Sequence, residues 1–410
     1  MKSPLPLLLL SLLISTSNVQ AQLVPVNGVL DGEQFKRVNN ILQELGSAPS
    51  GSGGKLIPAL LDSFSNLSQS QLYQVYQQMK GLLTEPAVLD ALVQELKGSR
   101  AEMASNLLFH CRQYGSYDLN LEQIQEVTAG FASENALVRE NLAHLLNSVT
   151  TAGDSGVQPA LIKVLISDPS SKVRMTAAQS LGNLGREVYF KNSEAIALAL
   201  AKALSDDPSP QVRSNAASGL AQMGGKAAPA APILRVALTD NSSMVRSQVL
   251  QSVINIGSPC AACVDELIDM LKAPNDPYLG SSKHRVLQAL AAIGPAASKA
   301  MPQILPLLQE KNNASYAAGA LAAFGESALP AVPQLAKLLD SPFSEEREAA
   351  ARALGGIGPK ARSALAALRK AASDERNVQG YGNARASKQA ALEAIARILG
   401  ESPNFSSDNN

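Results

Sequence analysis

Two cysteines three positions apart, Cys260 and Cys263, have the spacing most typical of chemistry in this sequence. Such a pair serves redox chemistry in a thioredoxin-like βαβ context, or supplies half of a zinc site. Here the pair lies between two predicted helices, and the three histidines of the chain are too scattered to complete a zinc site. We therefore predict no metal and expect a local disulfide that stiffens the turn before Val264, with two free buried thiols as the alternative.

Two further groups have the composition of a reactive site but lack its spacing or context. The segment 51–55 is glycine-rich, but a phosphate-binding loop needs glycine where Pro49 stands and Ser or Thr where Leu56 stands. His110 and Cys111 are adjacent, but no acidic residue that could orient the histidine is identifiable nearby. We predict a flexible linker for the first group and helix packing for the second. We predict no catalytic residue and no cofactor for the chain.

Charged residues recur as a pattern, because an aspartate precedes an arginine by six residues in three successive segments. We expect each carboxylate to cap the following helix and to meet a guanidinium of its own or the neighbouring unit, which forms a ladder. An exposed ion pair contributes only about 0.2–1 kcal/mol, and a buried leucine about 1.5–3 kcal/mol. The ladder should therefore set the register, while buried leucines stabilise the fold. The predicted ladder residues are Asp168, Arg174, Asp207, Arg213, Asp240, Arg246, Asp340 and Arg347.

The arginines also mark a repeat. Successive intervals from Arg139 to Arg285 are 35, 39, 33 and 39 residues, and two units of 31 lead on to Arg347. In this count Tyr316 takes the arginine place of the intervening unit. Alanines, a leucine and a glycine such as Gly185 follow, which suits a closely packed second helix that ends in a left-handed glycine. A period in this range predicts stacked helical hairpins.

These units resemble HEAT repeats, particularly the short variety shared with phycobilin lyase-type proteins. The resemblance rests on strings close to V-R-x-x-A-A-x-x-L-G-x-L-G at 165–185, 204–224 and 335–358, the last with Glu346 in the Val place. It implies an all-α fold, namely a right-handed superhelical solenoid of stacked antiparallel helix pairs whose second helices line a concave face. It also implies an alternative function, a lyase- or transferase-like enzyme related to bilin lyases that uses the concave groove.

The chain is predicted to divide into five segments. Residues 1–21 are typical of a signal peptide, because Lys2 precedes an apolar run and small residues stand at Val19 and Ala21. We therefore expect an exported protein, periplasmic or secreted, with no membrane span after signal cleavage. The other segments are 22–54 (N-terminal segment and Gly/Ser linker), 55–150 (divergent helical repeats), 151–400 (HEAT-like repeat array) and 401–410 (disordered tail).

Composition narrows the class of partner. The chain has 35 basic and 35 acidic residues and no tryptophan, which disfavours nucleic acid as a partner. We predict a non-catalytic protein-binding or scaffolding module that recognises a protein partner. The contacts should come from the concave face and from an edge of inserted loops at 272–283 and 374–388. The candidate partner-binding residues are Gln179, Asn215, Ser218, Gln248, Gln251, Tyr278, Gln288, Tyr316, Arg352 and Tyr381.

Overall fold

The computed structural model describes residues 32–64, 67–114, 117–148, 156–187, 192–272, 283–374 and 383–401. Throughout these ranges the secondary structure consists of α-helices and short 3-10 helices, without any strand. The predicted signal peptide, nearly all of the predicted tail, and the two candidate residues Tyr278 and Tyr381 lie outside the described residues.

The helices alternate between two layers, which we call A-helices and B-helices. The A-helices are α2 (Ile57–Asp62), α4 (Pro86–Gln94), α6 (Leu121–Ala129), α8 (Val157–Ser167), α10 (Ser193–Asp206), α12 (Ala231–Ala237), α14 (Val264–Lys272), α16 (Met301–Ile304), α18 (Val332–Leu338) and α20 (Leu365–Ser373). The B-helices are α1 (Gly32–Ser47), α3 (Gln69–Leu82), α5 (Ala101–Tyr114), α7 (Ala136–Leu145), α9 (Ser171–Arg186), α11 (Pro210–Met223), α13 (Ser243–Ile256), α15 (Lys283–Ile293), α17 (Ala314–Phe324), α19 (Ser344–Ile357) and α21 (Asn383–Leu399).

The two layers differ in how closely their helices pack. Successive B-helices contact one another extensively, whereas successive A-helices contact one another much less. Between α9 and α11 the backbones nearly touch, since a Cβ atom on Gly182 would lie 2.4 Å from the Cα atom of Gly219. In a curved stack the more closely spaced layer lies on the inside, so the B-helices line the concave face. The predicted solenoid of stacked helix pairs is confirmed.

One apolar core runs between the two layers from the first described helix to the last. Leu181, Leu220 and Leu354 are fully buried in it, as predicted from the repeat. Small side chains at the alanine positions, such as Ala177 and Ala178, are also fully buried and allow neighbouring helices to approach closely. Burial of a leucine contributes about 1.5–3 kcal/mol, so this repeated layer supplies a large part of the stability.

The N-terminal region differs from the prediction. Helix α1 packs against α3 and buries Val38 and Leu42, so it belongs to the array as an additional B-helix. The glycine-rich segment after α1, predicted to be a flexible linker, packs against α4. The N–H of Gly51 donates to Oε1 of Glu85 at 2.7 Å, and a Cβ on Gly54 would lie 2.5 Å from the carbonyl oxygen of Ala87. The glycines here permit close packing rather than flexibility.

In the C-terminal half, a glycine and a 3-10 turn join each B-helix to the next A-helix. Gly257 has φ 77° and ψ −130°, and Gly358 has φ 74° and ψ −147°. The positive φ was expected, but these ψ values lie outside the left-handed helical region and favour glycine strongly. Gly185 is a different case, because it lies inside α9, where the side chain of Met223 packs against it.

The two cysteines lie in one of these turns, in the 3-10 helix Ser258–Cys263. Both are fully buried and free, so the expected disulfide is absent from this structure and the alternative of two buried thiols describes it. A hydrogen bond between the two thiols lowers the pKa of Cys260 and raises that of Cys263. The other turns of this type bury alanines at the equivalent positions, for example Ala297 and Ala300. The pair therefore occupies a slot that elsewhere accepts only small side chains.

Candidate functional site

Each well-formed rung of the ladder joins one unit to the next. Nε and Nη2 of Arg174 donate to the two carboxylate oxygens of Asp207, at 2.7 and 3.0 Å. Nη1 of Arg174 donates to the carbonyl oxygen of Asp168 at 2.8 Å, so one guanidinium links two successive A–B turns. The Asp207 carboxylate also accepts a hydrogen bond from the N–H of Ser209, which precedes α11, at 2.9 Å. The same arrangement recurs at Arg139–Asp168 and Arg213–Asp240.

These ion pairs are not exposed. The side chain of Arg174 is 11% exposed and that of Asp207 is 6% exposed. The hydrogen bond that Arg174 donates to Asp207 raises the pKa of Arg174, although burial works against that shift. A bidentate pair with this little exposure cannot be ranked with surface salt bridges, because loss of one partner leaves the other charge buried. The ladder therefore matters to stability as well as to register.

The register of the ladder differs from the prediction in the C-terminal half. The aspartate position of its last rung belongs to Ser341, whose carbonyl oxygen accepts from Nη1 of Arg347 at 2.9 Å. The predicted partner, Asp340, instead forms an exposed ion pair with Lys370. The sequence interval of seven residues between Asp340 and Arg347, against six elsewhere, already indicates this shift.

Two further positions were assigned two residues too far along the chain. Where a B-helix ends in a positive-φ glycine, the ladder arginine stands eleven residues before it, as Arg213 does before Gly224. Counting back in the same way from Gly294 gives Lys283, which binds Glu310 at 3.0 Å. The equivalent residue of the next unit is Ala314. Arg285 and Tyr316 therefore lie outside the ladder, on the exposed side of their B-helices.

The middle B-helices, α9, α11, α13 and α15, present amide and hydroxyl side chains on the concave face. Gln179 and Gln288 are exposed, and the other predicted residues of these helices are half-buried. None of the predicted residues here is charged, so their side chains offer hydrogen-bond donors and acceptors, and the guanidinium of Arg285 lies beside them. We call these residues the central surface: Gln179, Asn215, Ser218, Gln248, Gln251 and Gln288.

Part of the central surface is already engaged within the protein. Nε2 of Gln251 donates to Oδ1 of Asn255 at 2.8 Å, and its Oε1 accepts from Nη2 of Arg285 at 3.0 Å. Nδ2 of Asn215 donates to the carbonyl oxygen of Gln211 in its own helix. Where the structure describes the surroundings, the side chains of Gln179 and Gln288 have no hydrogen-bond partner, so these two are the most available.

The remaining predicted residues of the concave face lie nearer the C-terminus. The ring of Tyr316 is 40% exposed and lies 5.1 Å from the ring of His284, so these side chains join α17 to α15. Arg352 is exposed on α19 and pairs with Glu348 of the same helix at 2.7 Å. These residues do not converge with the central surface on one pocket. The predicted set therefore forms a broad face and not a compact site.

A group of aromatic and imidazole rings on the N-terminal part of the concave face was not predicted. The rings of Tyr76 (α3) and His110 (α5) are stacked, with centroids 4.5 Å apart and planes 16° apart. Phe109 lies 5.0 Å from His110 and 5.1 Å from His144 (α7). Three successive B-helices thus contribute to one continuous group. We call Tyr76, Phe109, His110 and His144 the ring cluster.

Partial burial decides the charge state of the ring cluster. Burial lowers the pKa of both His110 and His144, which favours neutral imidazoles at neutral pH. Burial also raises the pKa of Tyr76 to about 12 and that of Cys111 to about 12. The Cys111 thiol lies 3.7 Å from the carbonyl oxygen of Tyr76. A fully protonated, buried thiol is a poor nucleophile, so the interpretation of His110 and Cys111 as packing residues agrees with the structure.

The sequence did contain a signal for the ring cluster. Aromatic residues make up only 4% of the chain. Even so, three consecutive B-helices place a ring among the polar residues of their exposed side: Tyr76, Phe109 with His110, and His144. The repeat is blurred before residue 119, which hides the equivalence of these positions until the helices are seen side by side.

Other sites of chemistry are poorly supported. Among the described side chains, no three of His, Cys, Asp or Glu are grouped so that they could hold a metal ion. A groove of about 660 Å³ lies between α6 and α8, beside Arg139, and a smaller one of about 270 Å³ lies between α8 and α10, beside Arg174. Their recurrence in successive units reflects the loose packing of the A-helices. No described helix has both the length and the apolar character needed to cross a membrane.

Two antiparallel layers of short helices, repeated along one axis and curved towards the B-layer, define an α-helical solenoid. Residues 196–282 match the family described as HEAT repeats, and residues 157–188 match a HEAT repeat. Residues 346–374 match the PBS lyase HEAT-like repeat. The chain therefore contains HEAT-type repeats in these three segments. No curated protein matches the chain in sequence.

Several solved structures share the fold at low sequence identity. The crystal structure of an engineered protein aligns with 21% identity and a TM-score of 0.57, over 89% of this chain and 100% of that chain. Kap95p, in a structure with RanGDP, aligns with 14% identity and a TM-score of 0.60, over 93% of this chain. Importin beta aligns with 14% identity and a TM-score of 0.54, over 90% of this chain. The chain spans only 53% of Kap95p and 55% of importin beta.

Proposed function

We propose that this protein is a non-catalytic scaffold that binds a protein partner along its concave face. The observation that carries the proposal is the continuous B-helix face itself. It runs from the ring cluster through the polar central surface to Tyr316 and Arg352. A face of this length suits a polypeptide better than a small molecule, because small ligands bind in compact pockets that bury most of their surface. The similar protein Kap95p also occurs in a structure with a protein, RanGDP.

The alternative, a lyase- or transferase-like enzyme related to bilin lyases, has less support. Its basis is the PBS lyase HEAT-like repeat at 346–374, a single unit of the array. That unit contributes Arg352 to the concave face, and Arg352 is held in an ion pair with Glu348. A general acid or base would need a perturbed carboxyl or imidazole beside a substrate pocket, and the perturbed groups His110, His144 and Glu140 do not line the grooves beside Arg139 and Arg174. The repeat resemblance concerns architecture, and architecture does not specify chemistry.

Export is a second part of the proposal. It rests on the signal-peptide pattern of residues 1–21, in which a positive residue, an apolar run and small residues at the cleavage position occur in order. Fractionation of cells that express the full chain, with mass spectrometry of the mature N-terminus, tests it. We expect a product that begins at Gln22 outside the cytoplasm. An uncleaved chain that stays in the cytoplasm would contradict the proposal.

Site-specific photocrosslinking tests the scaffold proposal directly. A photoreactive amino acid replaces Gln179 or Gln288 on the concave face, and in a control protein it replaces Leu198, which is 50% exposed on the A-helix α10. After irradiation in the native host, mass spectrometry identifies the adducts. We expect the same polypeptide to crosslink at both concave positions and not at Leu198. Adducts confined to Leu198, or a small-molecule adduct at the concave positions, would reject the proposal.

A further inference from the structure

The ring cluster is chemically different from the rest of the concave face. The central surface offers amide and hydroxyl groups, whereas α3, α5 and α7 offer the faces and edges of four rings in mutual contact. All four side chains are half-buried, so each ring still has a surface open to the groove. Tyr73, which is 49% exposed one turn before Tyr76, extends this surface on α3. Neutral ring faces attract cations through their quadrupole.

A carboxylate accompanies the rings. Glu140 stands four residues before His144 on α7, and side chains at this spacing lie next to each other on one face of a helix. It is half-buried, and burial raises its pKa. Lys172 of α9 acts on it only as a nearby charge and is itself exposed. Within the described part of the chain the Glu140 carboxylate has no hydrogen bond or ion pair, in contrast to the aspartates of the ladder.

We propose that the ring cluster and Glu140 form a binding site for an arginine side chain of the partner polypeptide. This proposal rests on the proposed scaffold function and names the chemistry that one part of the concave face selects. A guanidinium group is planar and weakly hydrated, so it stacks on ring faces while its N–H groups pair with a carboxylate. Glu140 gains a partner for a charge that burial disfavours, and the neutral imidazoles add no repulsion. The ladder cannot compete for the ligand, because its carboxylates are already paired.

The ring proton signals of the three histidines of the chain can report binding at this site directly. Two of them belong to the ring cluster, and His284 lies on α15 and serves as an internal control. Their ring proton signals in NMR spectra of the full mature chain are assigned by replacing each histidine with glutamine in turn. The probe is an acetylated, amidated pentapeptide, Gly-Ser-Arg-Ser-Gly. Matched peptides contain citrulline, which is neutral and of the same shape, or lysine in place of arginine.

We expect the arginine peptide to shift the signals of His110 and His144 in a saturable manner and to leave that of His284 unchanged. The citrulline peptide should cause no saturable shift, and the lysine peptide should bind more weakly. Glu140→Gln should weaken binding of the arginine peptide about fivefold, as expected for loss of one partly exposed ion pair. Glu393→Gln, a change of a half-buried carboxylate on the distant α21, should leave it unchanged. Thermal unfolding of each variant verifies that it is folded.

Equal shifts with the arginine and citrulline peptides, no shift at all, or unchanged affinity in Glu140→Gln would overturn the arginine site. Those results leave the scaffold function standing if a polypeptide still crosslinks at Gln179 and Gln288. Conversely, a specific arginine response without any crosslinked polypeptide would retain the site and reject the scaffold. Failure of the arginine site can therefore be distinguished from failure of the scaffold function.

Discussion

At the scale of single residues, the ladder shows how an ion pair can change its role with burial. Arg174 and Asp207 are almost enclosed by the A–B turns of two successive units, and the guanidinium satisfies two carbonyl oxygens as well as the carboxylate. Replacement of both partners together by apolar residues costs little stability, but removal of one partner alone destabilises the protein strongly. Each ion pair of the ladder thus stabilises the array only as long as both of its partners are present.

Arg174→Ala should lower the free energy of unfolding by about 3–5 kcal/mol, because it leaves the Asp207 carboxylate buried without a partner. This is comparable with about 2–5 kcal/mol for Leu181→Ala, a truncation in the fully buried core. Chemical denaturation measures both. The double replacement Arg174→Ala with Asp207→Ala should recover part of the loss.

Lys202→Ala, which removes an exposed pair with Asp206, is the control and should change stability by less than about 0.5 kcal/mol. A loss for Arg174→Ala as small as this control would show that the ladder only sets register.

The ring cluster should make stability depend on pH. Burial lowers the pKa of His110 and His144 below the ordinary value of 6.5, so the unfolded chain binds protons more readily than the folded chain. The free energy of unfolding should therefore fall as the pH drops below about 6.5. Melting temperatures measured at about pH 7.5 and about pH 5 test this, across the range in which imidazole titrates.

The matched comparison isolates the two imidazoles. A protein with His110→Gln and His144→Gln should show a smaller drop in melting temperature on acidification than the native protein. Glu140 acts in the opposite direction, since burial raises its pKa, but it is present in both proteins. An identical acid response in the native protein and the double variant would show that the imidazoles do not contribute.

At the scale of elements, the B-helices approach one another at positions where a side chain is absent. Gly182 on α9 and Gly219 on α11 face each other closely, and Gly355 on α19 lies against Ala394 on α21 in the same manner. Glycine inside a helix costs about 0.5–1 kcal/mol relative to alanine, so its presence here reflects the need for close contact. This contact draws the B-layer together and sets the curvature of the concave face.

Two glycine substitutions inside B-helices should have opposite effects. In Gly182→Ala the new Cβ atom would lie 2.4 Å from the Cα atom of Gly219, so α9 and α11 must separate, at a cost of about 1–3 kcal/mol. In Gly319→Ala, on α17, nothing lies within 4 Å of the new atom, and the higher helix propensity of alanine should stabilise by about 0.5–1 kcal/mol. Thermal unfolding of the two variants measures both changes in stability. If both stabilise the protein, close packing is not the reason for Gly182.

At the scale of the whole molecule, the array presents one long concave face, and we expect the predicted insertions to lie along one edge of it. Residues 273–282 and 375–382 of the predicted insertions, which carry Tyr278 and Tyr381, lie outside the described residues, whereas 383–388, predicted to belong to the second insertion, form the start of α21. Their place in the repeat still puts both at A–B turns, because α14 precedes one and α20 the other. Insertions in repeat proteins commonly map to one face, which is often the binding face.

Tyr278→Ala combined with Tyr381→Ala should weaken capture of the crosslinked partner without lowering the melting temperature. The physical reason is that tyrosine anchors supply much of the energy of an interface, while exposed loop residues contribute little to folding. Retention of the partner on immobilised protein measures capture, and thermal unfolding gives the melting temperature. Leu198→Ala is the control, since this side chain is 50% exposed on the A-helix α10 and not at an A–B turn. Capture equal to that of the native protein would remove the loops from the interface.

The helix pairs, the repeat, the leucine layer and the ladder arginines from Arg174 to Arg246 could be predicted from the sequence, because they follow from local periodicity and recur from unit to unit. Prediction from the sequence failed where the environment of a residue depends on neighbours that are distant in the chain. The positions of Lys283 and Ser341 in the ladder, the burial of the Arg174–Asp207 pair and the packing of Gly54 all needed the stacked structure. The ring cluster is the clearest case, since its rings lie about 34 residues apart in sequence and meet only because successive B-helices pack about 8–10 Å apart.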